Sequence, residues 1–344
     1  MVSRLERLEQ LDRREGTGVK AIQIEQAGGP EVLKLTEVPI GTPGPGQALV
    51  RIAAVGVNFV EIYQRIGRYA TKLPFIPGSE ASGVVESVGE GVSNVAPGDR
   101  VAYTHQPGAY AEKSLVQADR LIPLPANLSF EQGAAVPLQG MTAHYLLHEF
   151  RKVAPGDVVL IHAAAGGMGL LLVQWARHMG ARVIGTVSTE HKAQIARESG
   201  AHDVILYTQQ DFAAETKRLT GGRGADLIID GVGKTTFPGD LEAAAVRGHI
   251  VLYGSASGPA DPFPPNSLQP RGLTLSGSTL VHFISTRADV MRRAGDVLLG
   301  IRDGWLKLRI DQVLPLAQAA EAHRLLEGRQ TIGKLVLSTG AAVT

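Results

Sequence analysis

Cysteine is absent from all 344 residues, so neither a disulfide nor a thiolate-held metal can be part of the design. A reducing cytosol agrees with that absence, and a cytoplasmic protein is expected. No apolar run approaches the roughly 20 residues that a membrane-spanning helix needs, and no signal-peptide core opens the chain. A soluble protein with no membrane partner is the expectation. Net charge is also lacking: 34 lysines and arginines nearly balance 33 aspartates and glutamates, which removes the electrostatic footprint of a general nucleic-acid binder. An uncharged small molecule, or an anion held locally, fits such a surface better.

Glycine, by contrast, is plentiful, 41 of 344 against roughly 7% in an average protein. The length is about twice that of a common domain, so two domains are expected. Residues 1–18 read as an extension in which Leu5, Leu8 and Leu11 form a short amphipathic helical stripe before Gly16-Thr17-Gly18 stops it. From Val19 the chain reads as short strands cut by turn pairs such as Gly28-Gly29-Pro30 and Pro43-Gly44-Pro45-Gly46. These strands are Lys20–Ile24, Gln47–Val55, Ala81–Val88, Arg100–Tyr103 and Ala109–Leu115, which predicts a compact β barrel. Ser129 is a predicted N-cap.

Beyond Asp157 the rhythm changes. Apolar strands over Val158–His162, Arg182–Val187, Val204–Tyr207, Asp226–Asp230, His249–Gly254 and Leu273–Ser276 alternate with helical patterns. Continuous branched-aliphatic runs between helices are what a parallel sheet buried on both faces requires, so this half reads as a doubly wound nucleotide-binding domain. Helices are predicted over Arg287–Asp303 and Leu316–Glu327. A last strand, Lys334–Ser338, has too few neighbours of its own and is expected to return to the first domain.

Directly after the first of those strands stands Ile161-His162-Ala163-Ala164-Ala165-Gly166-Gly167-Met168-Gly169-Leu170, and a helix follows. That placement is what a dinucleotide fingerprint demands, although the spacing varies the usual glycine pattern and an isolated cluster would read equally well as a tight turn. Gly166 and Gly167 let backbone approach a diphosphate whose charge meets the free N–H groups of the helix start, and Gly169 lets helix and strand pack closely. At the end of the second strand an NAD enzyme usually presents an acid to the ribose. Here Val187 is followed by Ser188-Thr189-Glu190-His191-Lys192. Ser188, Thr189 and Lys192 suit a 2′-phosphate, which points to NADPH; alternatively Ser188 or Thr189 caps the helix, and Glu190 favours NAD. His144 and His148, four apart on one helix, offer two metal ligands without a third, so no metal is expected. His162 reads as a satisfied buried polar group.

Three stretches carry a resemblance: Asn58-Phe59-Val60-Glu61-Ile62-Tyr63-Gln64-Arg65-Ile66-Gly67-Arg68-Tyr69, Pro77-Gly78-Ser79-Glu80-Ala81-Ser82-Gly83 and Ala163 to Gly169. With the opening Gly28 to Leu33, they resemble the zinc-free quinone oxidoreductases, the group that includes zeta-crystallin, within the medium-chain dehydrogenase/reductase superfamily. The likeness runs from Val19 to Ser338. It implies a GroES-like β-barrel catalytic domain over residues 19–140 and 281–344, interrupted by a Rossmann domain over 141–280 that binds NADPH. The substrate would then lie in a metal-free cleft between them. Zinc dehydrogenases of the superfamily hold catalytic zinc with Cys, His and Cys; Asn58, Ser79 and the Leu138-Gln139 region stand at those places here, so all three ligands are missing.

Without zinc to polarise a carbonyl, the easier chemistry is reduction of an acceptor that spreads its own negative charge. The resemblance implies NADPH-dependent reduction of quinones. Reduction of the C=C bond of α,β-unsaturated aldehydes or ketones is the alternative, and an NADPH-binding crystallin-like or RNA-binding protein is the non-enzyme reading. Acceptor-orienting groups would be Asn58, donating an amide N–H to a developing oxyanion, and Tyr63 and Tyr69, stacking on a planar ring or donating O–H. Thr142 would reach the nicotinamide. The family's cofactor contacts would fall on Tyr63, Thr142, Tyr145, Gly166, Gly167, Lys192, Tyr207, Gly254, Ser255, Thr279 and Leu280, beside Met168, Gly169 and Ser188 of the two motifs. Core filling is the alternative for Tyr145. A homodimer paired through an edge strand near Leu273–Leu280 is implied as well.

Overall fold

A computed structural model describes residues 18–341; the amphipathic stripe predicted in the first 17 residues lies outside them. The described chain divides into two compact units.

The first unit takes in the described residues up to Pro137 with Gln312–Gln330 and Leu335 onward. Its strands are β1 (Val19–Gln23), β2 (Lys34–Val38), β3 (Gln47–Gly56), β4 (Glu80–Val88), β5 (Arg100–Thr104), β6 (Lys113–Gln117) and β7 (Ile122–Pro123). Helix α1 (Phe59–Arg65) leaves the end of β3, and a single turn, α2 (Phe130–Gly133), follows the barrel strands. β3 shows why its sequence makes a strand: Ala48, Val50 and Ile52 are buried while the residues between them are partly exposed, the two-residue alternation of a pleated strand with one face on a core. Ser129 caps α2 as predicted, accepting from the Gln132 N–H at 3.2 Å while the Gln132 side chain accepts from the Ser129 N–H at 2.9 Å. The observed β6 begins four residues after the predicted Ala109 start, because Ala109–Ala111 bond instead to the Pro77–Gly78 turn and to Ile22.

The second unit spans Leu138–Asp311 with Thr331–Lys334. It opens with helix α3 (Pro137–His148), whose first residue is the last of the first unit, and then alternates β8 (Val158–Ile161), α4 (Gly167–His178), β9 (Arg182–Val187), α5 (Glu190–Glu198), β10 (Asp203–Leu206), α6 (Phe212–Leu219), β11 (Ala225–Asp230), α7 (Phe237–Ala243), β12 (Ala244–Leu252) and β13 (Thr274–Gly277). The strand pairings in this sheet are parallel. The order β10-β9-β8-β11-β12-β13 reverses direction between β8 and β11, which is the topological switch point where such sheets bind ligands. Val158, Leu160, Ile184, Ile228 and Ile250 form its core, each fully buried aliphatic side chain contributing roughly 1.5–3 kcal/mol.

Helix α8 (Arg287–Arg302) belongs to this unit, whereas the family outline put residues 281–344 with the barrel. The physical reason lies on its inner face. Val290, Arg293, Ala294 and Val297 are buried, Val297 fills the space over Gly140 of α3, and Arg293 donates to Glu149 at 2.5 Å. The chain then forms β14 (Ile310–Pro315), α9 (Ala319–Glu327) and β15 (Lys334–Ser338). β15 returns to the barrel as predicted, antiparallel to β3 with Val336 opposite Gly56. The barrel sheet runs β14-β15-β3-β4-β5-β7, with β6 also on β3.

Candidate active site

In the first unit, Asn58 at the start of α1 and Ser79 before β4, two of the three places where zinc ligands would stand, both bond to Glu61. The Asn58 backbone N–H donates to Glu61 Oε2 at 2.8 Å, and its side-chain Nδ2 donates to the Gly56 carbonyl at 3.3 Å and to Glu80 Oε2 at 3.1 Å. Ser79 Oγ donates to Glu61 Oε1 at 2.8 Å. Both amide hydrogens of Asn58 are therefore occupied in holding the turn. That corrects the expectation that this amide donates to a developing oxyanion: a buried amide beside two fully buried carboxylates satisfies them first, since leaving either unpaired would cost more. Among the described residues no group of three His, Cys, Asp or Glu side chains could hold a metal ion, and the Asn58, Ser79 and Gln139 side chains do not make a zinc site.

Tyr63 lies on α1 and is 6% exposed, whereas Tyr69, on the loop that follows, is 49% exposed. Their rings meet edge to face at 5.4 Å, and the Arg68 guanidinium lies 4.6 Å from the Tyr63 ring centroid. Arg65 anchors the helix from below. It donates to the Gly28 carbonyl at 3.1 Å and to Glu327 at 2.7 Å, and lies 3.0 Å from His323 Nδ1. Burial first, and then the Arg65 charge, push His323 down to about 3. The ring is therefore neutral, with Nδ1 accepting from Arg65 and Nε2 donating to Tyr110 Oη at 3.1 Å.

In the second unit, Ala163 takes φ +50°, a left-handed conformation where the usual fingerprint has glycine. The turn it starts is tied back by Ala164 N–H to Thr186 O and by Gly166 N–H to Ala163 O. Gly166 is the N-cap of α4, extended and without a side-chain cap. No hydroxyl or carboxylate of the cap residue therefore closes over the first N–H groups of this helix. A Cβ on Gly167 would come within 2.5 Å of Gln139 Oε1, and one on Gly169 would overlap the Ala163 carbonyl oxygen. Gly167 and Gly169 are thus demanded by the turn's own packing, whereas a Cβ on Gly166 would meet only the Ala163 carbonyl oxygen, at 3.3 Å, and otherwise stand in open space, the cradle where a diphosphate would approach. Gly185 of β9 was not singled out in the sequence, yet a Cβ there would come within 2.6 Å of Ala164.

At the end of β9, Thr189 caps α5 with its hydroxyl on the Lys192 N–H, and Glu190 is drawn to Arg197 at 2.6 Å. Ser188 is half-buried and its carbonyl accepts from Thr208; Tyr207 is exposed beside it and donates its N–H to Val187 O. After β12, the Gly254–Ser255 turn packs against Gly231 and Gly233, the turn after β11. That second turn is held by Asp230, whose carboxylate accepts from the Val232 and Gly233 N–H groups at 2.6 and 3.1 Å. The Asp-Gly-Val-Gly pattern after a buried strand was the available signal.

Two cofactor-assigned side chains are internal. Tyr145 is 1% exposed, stacks flat on Phe283 at 4.3 Å and places its hydroxyl 2.9 Å from Ser278 Oγ; burial pushes its pKa up to about 12. Leu280 is buried as well. Both therefore position the Ser278–Phe283 segment, on which Thr279 begins a short 3-10 helix. Tyr145 takes the core-filling role left open for it. Thr142, one helical turn away on α3, is 6% exposed and Met168 half-exposed. His162, at the end of β8, lies 2.7 Å from Asp240 and 2.9 Å from Thr186 Oγ1. Burial opposes its charging, but Asp240 and then Asp230 outweigh that and raise its pKa. His144 is likewise committed to Arg293 and Asp296.

A side-chain-poor turn at the switch point of a doubly wound sheet, in a chain that also builds an antiparallel barrel unit, defines a dehydrogenase-type architecture. Comparison with known proteins agrees. Residues 44–126 match the alcohol dehydrogenase GroES-like domain and residues 167–295 the zinc-binding dehydrogenase family. A 2-haloacrylate reductase from a Burkholderia species is 44% identical over 328 residues, covering 93% of this chain and 98% of that protein. Quinone oxidoreductase from Pseudomonas aeruginosa is 40% identical over 321 residues, 92% of this chain and 99% of the other. The solved Escherichia coli quinone oxidoreductase, complexed with NADPH, superposes with a TM-score of 0.91 at 37% identity over 93% of this chain and 99% of that one. The chain belongs to the zinc-free quinone oxidoreductase family of the medium-chain dehydrogenase/reductase superfamily. Family membership makes it an oxidoreductase.

Proposed function

We propose that this protein is an NADPH-dependent reductase of electron-poor conjugated acceptors, with quinones the foremost class. The observation that carries the reading is the Gly166–Gly169 turn at the β8/β11 switch point, with the uncapped start of α4 behind it. Bound there, NADPH supplies two reducing equivalents, and a proton from water completes the change of a quinone to a hydroquinone or of a conjugated alkene to its saturated product.

The chain's own residues have the following roles. The first-turn N–H groups of α4 bind the diphosphate, with Met168 packing beside it. Ser188 and Lys192 receive the 2′-phosphate, a role that the pairing of Glu190 with Arg197 leaves free of a competing carboxylate at the ribose. Tyr207, the Gly254–Ser255 turn and Thr279 line the remaining length of the coenzyme, Thr142 lies toward the nicotinamide, and Tyr145 and Leu280 fix the Ser278–Phe283 segment. In the barrel unit, Tyr69 and Tyr63 orient the acceptor while Asn58 holds the turn that starts α1. With the zinc-ligand side chains replaced, no metal is at hand to polarise a simple carbonyl, which favours acceptors that delocalise charge themselves.

Reduction of an activated C=C bond is the second reading, favoured by the 2-haloacrylate reductase likeness. Among the described residues no helix is long and apolar enough to cross a membrane, in keeping with a cytoplasmic enzyme. The open edge of β13, last in the sheet order, suits pairing with a second copy across a two-fold axis.

The test is NADPH oxidation by the purified chain with 1,4-benzoquinone, short enones and 2-chloroacrylate as acceptors. Turnover with at least one is expected. Salt-dependent RNA binding with no turnover of any of them would overturn the reading.

A further inference from the structure

We propose that the second unit carries a further small-molecule site, for a flat aromatic carboxylate, built by the flank of α4, the end of α5 and residues 304–309. A cavity of about 560 Å³ opens there, and its lining comes from this unit alone. That volume lies within the roughly 300–1,000 Å³ that small-molecule sites occupy. None of the coenzyme or acceptor residues named above lines it.

The walls are fixed before any ligand arrives. Gly304, at φ +81°, turns the chain out of α8, and Gln174 of α4 then holds the segment by its backbone. The Lys307 N–H donates to Gln174 Oε1 at 2.8 Å, while Gln174 Nε2 donates to the Lys307 carbonyl at 3.1 Å and to the Leu170 carbonyl at 2.9 Å. The Trp305 ring lies flat on the His178 ring, with centroids 4.1 Å apart and planes 6° from parallel, and meets Trp175 edge-on at 5.3 Å. Trp305 and His178 both border the cavity, and the buried Leu170 and Ile195 add an aliphatic wall. A lining of this kind suits a flat apolar body, and because it is already ordered it loses little freedom in receiving one.

Charge at the exposed rim is mostly of one sign. Arg177, Lys307 and Arg309 border the cavity against one carboxylate, Glu198, which is bonded by Gln194 Nε2 at 2.9 Å. Among the described residues no ion pair engages Lys307 or Arg309. Arg177 donates to the His202 ring at 2.6 Å, and burial first, then this guanidinium, push the His202 pKa down, so the ring does not cancel the arginine's charge. A concave surface ringed by one sign of charge draws in the opposite sign, and guanidinium and ammonium groups both donate to a carboxylate in charge-assisted hydrogen bonds. Wall and rim together select an aryl carboxylate over a neutral arene, which gains the wall alone, and over a small inorganic anion, which gains the rim alone.

The experiment is calorimetric titration of the full chain with 2-naphthoate and with its neutral counterpart 2-naphthamide, for wild type, Lys307→Gln, Arg309→Gln and the double variant. Both side chains are exposed, so the fold should survive, which a thermal melt checks; should the double variant melt lower than wild type, the single variants carry the comparison. Wild type is expected to bind naphthoate saturably with Kd below about 1 mM and at least tenfold more tightly than naphthamide. The double variant should lose at least tenfold in naphthoate affinity, with the single variants between it and wild type. No saturable naphthoate binding below about 1 mM, affinities for naphthoate and naphthamide within twofold of each other, or variants that bind naphthoate within twofold of wild type would each overturn the proposal.

Discussion

Replacing Gly166 by alanine, and separately Gly169 by alanine, divides the two things a glycine turn can do. Gly166 sits at φ −78°, ψ 171°, extended backbone that any residue adopts. A methyl group there meets only the Ala163 carbonyl oxygen, at 3.3 Å, a contact relieved by a shift of a few tenths of an ångström. Removing the glycine also restricts the unfolded chain, which stabilises the fold by about 0.4–1 kcal/mol, so the net change should stay within about 1 kcal/mol. At Gly169 the methyl group overlaps the Ala163 carbonyl oxygen and comes within 2.7 Å of the Ala164 backbone. Helix and turn must then separate, an overpacking cost of about 1–3 kcal/mol. At roughly 2–4 °C of Tm per kcal/mol for a unit of this size, Gly169→Ala should melt about 2–12 °C lower. The Gly166 methyl group, by contrast, stands where the diphosphate must approach the N–H groups, and NADPH affinity should drop about tenfold or more, or about 1.4 kcal/mol. Thermal melts and calorimetric titration with NADPH read the two effects separately. A Gly166→Ala protein that melts like wild type and also binds NADPH like wild type would refute the cradle.

Lys192→Glu should lower the ratio of kcat/KM for NADPH over NADH about tenfold or more, by removing a point charge from the 2′-phosphate and supplying an acid; an unchanged ratio would take Lys192 out of the site. Stability should also fall between pH 7 and pH 5. Burial first, with nearby arginine charge assisting, depresses His323 to about 3 and His105 and His144 to about 4, although Asp296 opposes the shift at His144. Each histidine titrates near 6.5 when unfolded, so between about pH 6.5 and 4 the unfolded chain binds more protons and stability is lost as pH falls. His162, whose pKa is raised, works in the opposite sense: its contribution is present below about pH 6.5 and disappears as pH rises through its folded value. A urea midpoint that does not drop between pH 7 and pH 5 would show that these three histidines do not govern acid sensitivity.

Local pattern was enough for the elements. Arg182–Val187 and Lys334–Ser338 stand in the structure with the bounds predicted for them, because a run of branched aliphatics bounded by turn residues has one favourable way to bury itself. Ser129 as a cap was legible for a similar reason: its partner Gln132 lies three residues away. The glycine turn was legible from its place between strand and helix. By contrast, β2 was not read from the sequence. All five of its side chains are exposed or half-exposed, with no clean alternation, and its pairing with β1 is what makes it a strand.

The sequence alone therefore determined a barrel unit, a parallel nucleotide-type sheet, the loss of the zinc ligands and the turn where a diphosphate would approach, all of which depend on contacts within a few residues. Tertiary structure decided the rest. Asn58 reads as a free amide until Glu80, 22 residues on, takes one of its hydrogens; Tyr145 reads as a cofactor contact until Phe283 and Ser278 cover it; α8 reads as barrel until its buried face meets α3. A side chain's partner across a fold is set by how elements pack, and no local window of sequence contains that information.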